Sequence, residues 1–309
     1  MSDSLTRREF MKHSALAGAA AAAGLSAAGA AKAGEAAAKA EVAKAAPSQV
    51  LSKPLPTIKL GSLDVSRFIL GSNPFWGYSH KSPALDEEMK KFHTDEKIVE
   101  ALDEAARCGV TTIASPPEER WVNLFKKYRE GGGKLRLWIG QCHGPPEQMK
   151  EEIDRAIKGG AVAIFIQGGR VEQQFQKGAF DTLKAWLEQI KAAGLPAGLA
   201  AHWPEVLPEV EKRGLPTDFY YQCCYNVSKG ATFRSEEREK AMEVILGFDK
   251  KPVVAYKILG AGRLSAEEGF TYAFNRIRRK DGVCVGIYMK DAVDQIRENS
   301  TLTEILTKA

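Results

Sequence analysis

The 309 residues, 44% hydrophobic and 27% charged with a formal net charge of +5, have the make-up of an ordinary soluble chain with material for one large core or two modest ones. A charge this mild, part of it in the first segment, argues against the clustered basic face of a nucleic-acid binder. The five cysteines (108, 142, 223, 224 and 284) form no CxxC pair, which argues against a disulfide scaffold and a zinc ribbon.

The chain opens on Thr6-Arg7-Arg8-Glu9-Phe10-Met11-Lys12, followed by a weakly apolar, alanine-rich run from Ser14 to Ala31. That run exits through small residues, Ala28-Gly29-Ala30 or Ala31-Lys32-Ala33. A positive start, a short apolar centre and a small-residue exit make a secretory signal rather than a membrane span. The paired arginines with Phe10 and Lys12 resemble the twin-arginine (Tat) export signal. The expectation is a signal peptide over residues 1–33, export by the Tat machinery after folding, and a periplasmic chain with no stable transmembrane span after processing. Residues 34–56 are rich in Ala, Lys and Glu and then broken by proline, which reads as a linker.

From residue 57 a rhythm sets in. Thr57 to Leu60 and Val65 to Ile69 read as short strands, and His93 to Arg107 as a helix with apolar Ile98, Leu102, Ala105 and Ala106. Strand then helix follows in Val110–Ile113 and Trp121–Tyr128, Leu135–Ile139 and Glu147–Ile157, and Ala161–Ile166 and Phe180–Ala192. Next come Ala197–Ala200 with Glu205–Glu211 and Asp218–Tyr221 with Glu236–Ile245. Val253–Tyr256 with Ala266–Ile277 and Val283–Ile287 with Ala292–Leu306 end the series. About eight strand–helix units in roughly 240 residues predict an α/β chain, a (β/α)8 TIM barrel over 57–309 with a short N-terminal β-hairpin. An open doubly wound sheet is the competing reading, and the absence of GxGxxG after the first strand weakens it.

In such a barrel the functional residues sit just after the strands. Those positions hold Asn73, Trp76, Tyr78 and His80; Ser115; Gln141, Cys142 and His143; Gln167-Gly168-Gly169-Arg170; and His202-Trp203. Gln222, Cys223, Tyr225 and Asn226 come next, then Lys257, then Tyr288 and Lys290. The stretch Lys251 to Arg263 stands out, because its strand delivers Tyr256 and Lys257 into the glycine turn Gly260-Ala261-Gly262. An ammonium and a ring beside pliable backbone suit the floor of a ligand site. A Cys142–Cys223 disulfide across the mouth is geometrically conceivable, whereas Cys223 and Cys224 face opposite ways on a strand.

The order of motifs resembles a family. LGSLDVSRFILGSNPF is similar to the opening hairpin and first strand of the aldo/keto reductases, and KIVEALDEAARCGVTTIAS to their first helix and second strand. GLAAHWPEVLPEVEKRGLPTDFYYQCCYN resembles their fifth and sixth units, VVAYKILGAG the seventh strand and VDQIREN the start of the last helix. The resemblance implies carbonyl reduction by NADPH, with a tyrosine acid supported by lysine, aspartate and histidine. Here the aspartate's place is Ala114, no tyrosine lies between Ala114 and Val122, the third strand ends in Gln141-Cys142-His143, and the histidine's place is Gln167. The Ser-Asn pair that grips the nicotinamide is matched by Ala200-Ala201, while Gln222, Tyr256 and Glu298-Asn299 are kept.

The resemblance therefore implies a diverged NAD(P)-linked oxidoreductase. Gln222, Tyr256, Gly260, Arg263, Lys290 and Asn299 would hold NADP, and His143, Lys257 and Gln167 would form the catalytic set. Whether catalysis is retained stays open at this level. Alternatives are a barrel enzyme holding a metal, of no stated identity, on His80, His143, His202 and Cys223, or one whose desolvated Lys257 forms an imine. A third is a non-catalytic periplasmic protein binding a small molecule through Trp76, Tyr78, Trp203, Tyr225 and Tyr288.

Overall fold

In a computed structural model of the chain, the described residues are 54–227, 232–290 and 292–308. The export signal and most of the linker lie outside them. The chain begins with an antiparallel hairpin, β1 (Thr57–Leu60) and β2 (Leu63–Ser66), turned at Gly61 with φ of 62°. Eight parallel strands then close a ring: β3 (Phe68–Gly71), β4 (Thr112–Ser115), β5 (Leu137–Cys142), β6 (Ala163–Ile166), β7 (Ala197–Ala201), β8 (Phe219–Cys223), β9 (Val253–Tyr256) and β10 (Gly282–Gly286), the last pairing with β3. The barrel predicted from the alternation of elements is the observed fold.

These strands are short, apolar and buried on both faces, as parallel strands wrapped by helices must be. Residues of one parity fill the interior, including Ile69, Ala114, Ile139, Phe165, Phe219, Tyr221 and Val254. The hairpin contributes Ile58, Leu60 and Val65 to the same cluster. A Cβ on Gly61 would meet Pro196, just before β7, and one on Gly282 would meet Ile58. The hairpin therefore plugs the end where strands begin and leaves the other end for a site.

Outside the ring run α1 (Pro83–Phe92), α2 (Asp95–Arg107), α3 (Glu119–Glu130), α4 (Met149–Lys158), α5 (Gly168–Gln176), α6 (Phe180–Ala192), α7 (Val206–Lys212), α8 (Glu237–Gly247), α9 (Ala266–Phe274) and α10 (Gln295–Thr307). The α2 helix shows why such segments pack: Ile98, Ala101, Leu102 and Ala105 form one buried stripe, and the Thr94 hydroxyl caps it by accepting from the Lys97 N–H at 3.3 Å.

The structure corrects three local expectations. Val65 to Ile69 is two strands, broken at Arg67, whose guanidinium leaves the hairpin to donate to the carbonyls of Asp281 and Arg278, each at 3.0 Å. The helix α1 hid behind its charged sequence, although Ser82 followed by Pro83 is a sound start signal; the Ser82 hydroxyl accepts from the Leu85 N–H at 3.2 Å. The helix α5 opens on two glycines, poor helix formers, and so read as loop.

Candidate active site at the strand C-termini

The closed ring leaves a cavity of about 610 Å³ over the ends of the strands. Its floor is the interior of the barrel. Phe165 and Tyr221 stack there with ring centroids 4.2 Å apart, and small Ala114 and Ala200 keep the space above them open. At the seam, a Cβ on Gly71 would come within 2.9 Å of the Gly286 backbone, so only glycine lets β3 and β10 meet this closely.

Lys257 is the first residue beyond β9 and lines the cavity. It holds a left-handed backbone with φ of 57°, unusual for a long side chain and costing on the order of 1 kcal/mol or more. The neighbouring structure imposes that turn. The Tyr256 hydroxyl is tied to the Ala201 carbonyl at 3.1 Å, Ile258 and Leu259 are buried, and the Gly260 N–H donates to the Lys257 carbonyl at 2.9 Å. The ammonium donates to the Val227 carbonyl at 3.4 Å and, among the described residues, joins no ion pair. Burial holds its pKa below the ordinary lysine value, against the opposing pull of Cys223 and Glu172.

His202 follows β7. Its Nδ1 lies 3.2 Å from Oε2 of Glu172, on α5, and Oε1 of Glu172 accepts from the His202 and Trp203 N–H groups. The buried carboxylate thus holds both the loop and the orientation of the imidazole ring, with Nδ1 turned to Glu172. Gly168 allows the approach: a Cβ there would sit 2.8 Å from His202 Nδ1 and 3.2 Å from the Tyr256 hydroxyl. Across the cavity, His80 also takes a left-handed backbone, with φ of 56°, and its Nε2 lies 3.4 Å from Asn73 Nδ2. Burial lowers its pKa to about 4, and the charge of Lys257 adds to the effect.

At the rim, His143 Nε2 lies 3.1 Å from Glu118 Oε1, and that bond raises the imidazole pKa and lowers the carboxyl's. The Glu152 carboxylate takes the backbone N–H groups of His143 and Gly144, and Arg170 Nε donates to the His143 carbonyl at 2.8 Å.

The structure therefore brings His143, Lys257 and Gln167 onto one cavity, with Asn73, Tyr78, His80, Gln141, Arg170, His202, Tyr256 and Tyr288. Other candidates fall elsewhere. Trp76 turns its indole to the Ser115 hydroxyl at 3.3 Å, and Cys142 is fully buried on β5. Cys223 faces the Tyr225 carbonyl with its thiol pushed up to about 12 by burial. All five cysteines are free, so the Cys142–Cys223 disulfide does not form. Glu172, Glu118 and Glu152 escaped sequence reasoning. They lie on or before helices rather than at strand ends, and a glutamate in a charged helix carries no local signal of burial.

The proposed nucleotide set disperses. Of Gln222, Tyr256, Gly260, Arg263, Lys290 and Asn299, only Tyr256 lines the cavity. Gln222 turns its amide to the Cys223 carbonyl at 3.2 Å, Arg263 bonds the Gly260 carbonyl at 2.9 Å, Lys290 pairs with Glu88 at 2.6 Å, and Asn299 is buried in α10. Of the proposed metal ligands, His80, His143 and His202 line the cavity and Cys223 does not, and among the described residues no three His, Cys, Asp or Glu side chains converge as ligands. Of the aromatic set for a non-catalytic binding protein, Tyr78 and Tyr288 reach the cavity, while Trp76, Trp203 and Tyr225 do not.

Fold and site together define a (β/α)8 barrel with a lysine and a carboxylate-held histidine at the C-terminal ends of its strands. No family model matches the chain, and no curated protein does. Among solved structures it is similar to a phospho-2-dehydro-3-deoxyheptonate aldolase (DAHP synthase) from Thermotoga maritima, with a TM-score of 0.51 at 10% identity over 82% of this chain and 73% of that one. A truncated 3-deoxy-D-arabino-heptulosonate 7-phosphate synthase from the same organism gives 0.49 at 10% identity, covering 82% and 90%. An aldolase called QR15 gives 0.43 at 13% identity, covering 74% and 90%. At such identities these likenesses speak for the barrel alone. The barrel matched at a TM-score of 0.51 is a DAHP synthase and not an aldo/keto reductase, and of the residues that resemblance assigned to NADP only Tyr256 lines the cavity, so the aldo/keto reductase resemblance is overturned, and with it the NADP-linked oxidoreductase function.

Proposed function

We propose that the chain is a barrel enzyme acting on a small carbonyl compound, with Lys257 as the nucleophile and His202 as the proton-moving base. The observation that carries this reading is Lys257 itself: a desolvated lysine that joins no ion pair among the described residues, held in a strained backbone at the mouth of a barrel strand. A lysine so placed gives up its proton more readily, and a neutral amine can attack a carbonyl carbon. The nitrogen–carbon bond forms as the oxygen leaves as water, and the resulting iminium draws electrons from the adjacent carbon–carbon or carbon–hydrogen bond. His202 Nε2, its ring braced by Glu172, takes the proton that this bond-breaking releases. Gln167, Gln141 and Asn73 offer amide groups to substrate oxygens, and His143 stands at the entrance. The barrel neighbour of aldolase name agrees with carbon–carbon bond chemistry at this face.

Borohydride reduction in the presence of pyruvate, acetone, dihydroxyacetone phosphate or glyceraldehyde should leave an adduct on the Lys257 peptide, with none at that site in Lys257→Met. Absence of any adduct at Lys257 across the panel rejects the imine. Residues 1–33 would carry the enzyme to the periplasm; a fusion of that segment to a reporter that reports only after Tat export tests this, and a signal unchanged by replacing both arginines counts against it.

A further inference from the structure

The cavity wall carries charge of one sign. Lys81, Arg170 and Lys257 line it with three histidines, and the described lining residues include no aspartate or glutamate. The nearby carboxylates are engaged elsewhere: Glu172 holds His202 and the Trp203 N–H, Glu152 the backbone of His143 and Gly144, and Glu118 the His143 imidazole. Arg170 spends only Nε, on the His143 carbonyl, and among the described residues no carboxylate neutralises its guanidinium.

Arg170 also stands in the first turn of α5, which has no side-chain cap and no acidic residue there, and Gly168 of that turn lines the cavity. A helix start of this kind presents free N–H groups and the positive end of the dipole. A second observation at the floor is independent of that. The Tyr221 side chain is 1% exposed, lines the same cavity, and its hydroxyl has no hydrogen-bond partner among the described residues. A buried hydroxyl left unpaired is costly, and a ligand that reaches it removes the cost.

We infer that the substrate is a small anionic carbonyl compound whose carboxylate or phosphate is held by the Arg170 guanidinium and the start of α5. The planar fork of arginine matches either group through two parallel N–H donors. A polar atom of the same compound reaches the Tyr221 hydroxyl, so the ligand spans the cavity from rim to floor. The inference rests on the imine reading for its carbonyl end, but the anion site rests on Arg170 and the start of α5 and is tested separately.

The test is calorimetric titration of the full chain at low salt with pyruvate and with inorganic phosphate. Binding of one or both is expected, and which of them binds tells carboxylate from phosphate. Arg170→Gln should weaken that binding roughly 10-fold or more, the scale of lost charge-assisted hydrogen bonds. Arg170→Lys, which keeps the charge without the fork, should fall between and guards against a folding defect. Inorganic phosphate has no carbonyl with which to form an imine, so its binding reads the anion site alone and a failed imine leaves this result intact. No heat with either anion at millimolar concentration, or equal binding by Arg170→Gln, overturns the inference.

Discussion

His80 and Lys257 illustrate how one residue's protonation is set by its neighbours. Both are partly buried, both take left-handed backbones, and the charge of Lys257 helps hold the imidazole neutral. Burial comes first among the causes, with Lys257, His202 and Arg263 disfavouring the proton and Asp86 favouring it. Because the folded pKa, about 4, lies below the ordinary 6.5, His80 contributes stability that is complete above about pH 6.5 and lost as pH falls toward 4. His143 works in the opposite sense: its raised pKa gives stability present below 6.5 and lost as pH rises through the folded value. Urea midpoints measured between pH 7 and 4 should therefore fall more steeply in the parent chain than in His80→Gln. An imidazole resonance of His80 titrating near 6.5 would contradict this account.

Among the elements, the β3–β10 seam and the start of α5 are where backbone approach does what side chains cannot. Gly71 and Gly286 lie opposite each other in register, and a Cβ on Gly286 would press within 2.7 Å of Pro74. Gly71→Ala should therefore cost about 1–3 kcal/mol, the range for overpacking, read from chemical denaturation. An unchanged midpoint would mean the seam yields freely. The same logic places Gly168 against His202 and Tyr256. Glu172, one turn further along α5, reaches back to hold that imidazole, so this helix both braces His202 and faces the cavity with its first turn.

For the molecule as a whole, ring closure is secured at the end remote from the site. Asp281 is fully buried before β10, paired with Arg278 at 2.6 Å, and accepts from the Val253 N–H at 2.9 Å. Arg67 reaches the same turn from the hairpin side, and its carbonyl accepts from the Val283 N–H at 2.7 Å. One cluster therefore ties the plug to the last two strands. Asp281→Ala leaves the buried Val253 N–H without its acceptor and removes the partner of the part-exposed Arg278, and should cost about 1–3 kcal/mol in denaturant unfolding. A loss below about 1 kcal/mol would show that the hairpin and helices close the ring without it. The described helices include none long and apolar enough to cross a membrane.

The barrel was legible from the chain because it depends on repeated local signals. Short β-branched runs and amphipathic stretches alternate at a steady spacing, and each run is determined by its own burial, as in Ala161 to Ile166. The strand-end rule then carried His143, Lys257, Gln167 and His202 to one rim. What the chain could not announce was which side chains turn inward there. Cys223 and Gln222 are adjacent to the site in sequence yet turned from it, and Glu172, distant from the site in sequence, braces His202 from behind the cavity wall. The order of motifs also suggested a nucleotide site that the structure scatters. Local patterning encodes where strands and helices form, because that is decided within a few residues. The strain and proton affinity of Lys257 are decided by partners as distant in sequence as Glu172 and Ala201, which holds Tyr256, and only the closed ring brings those together.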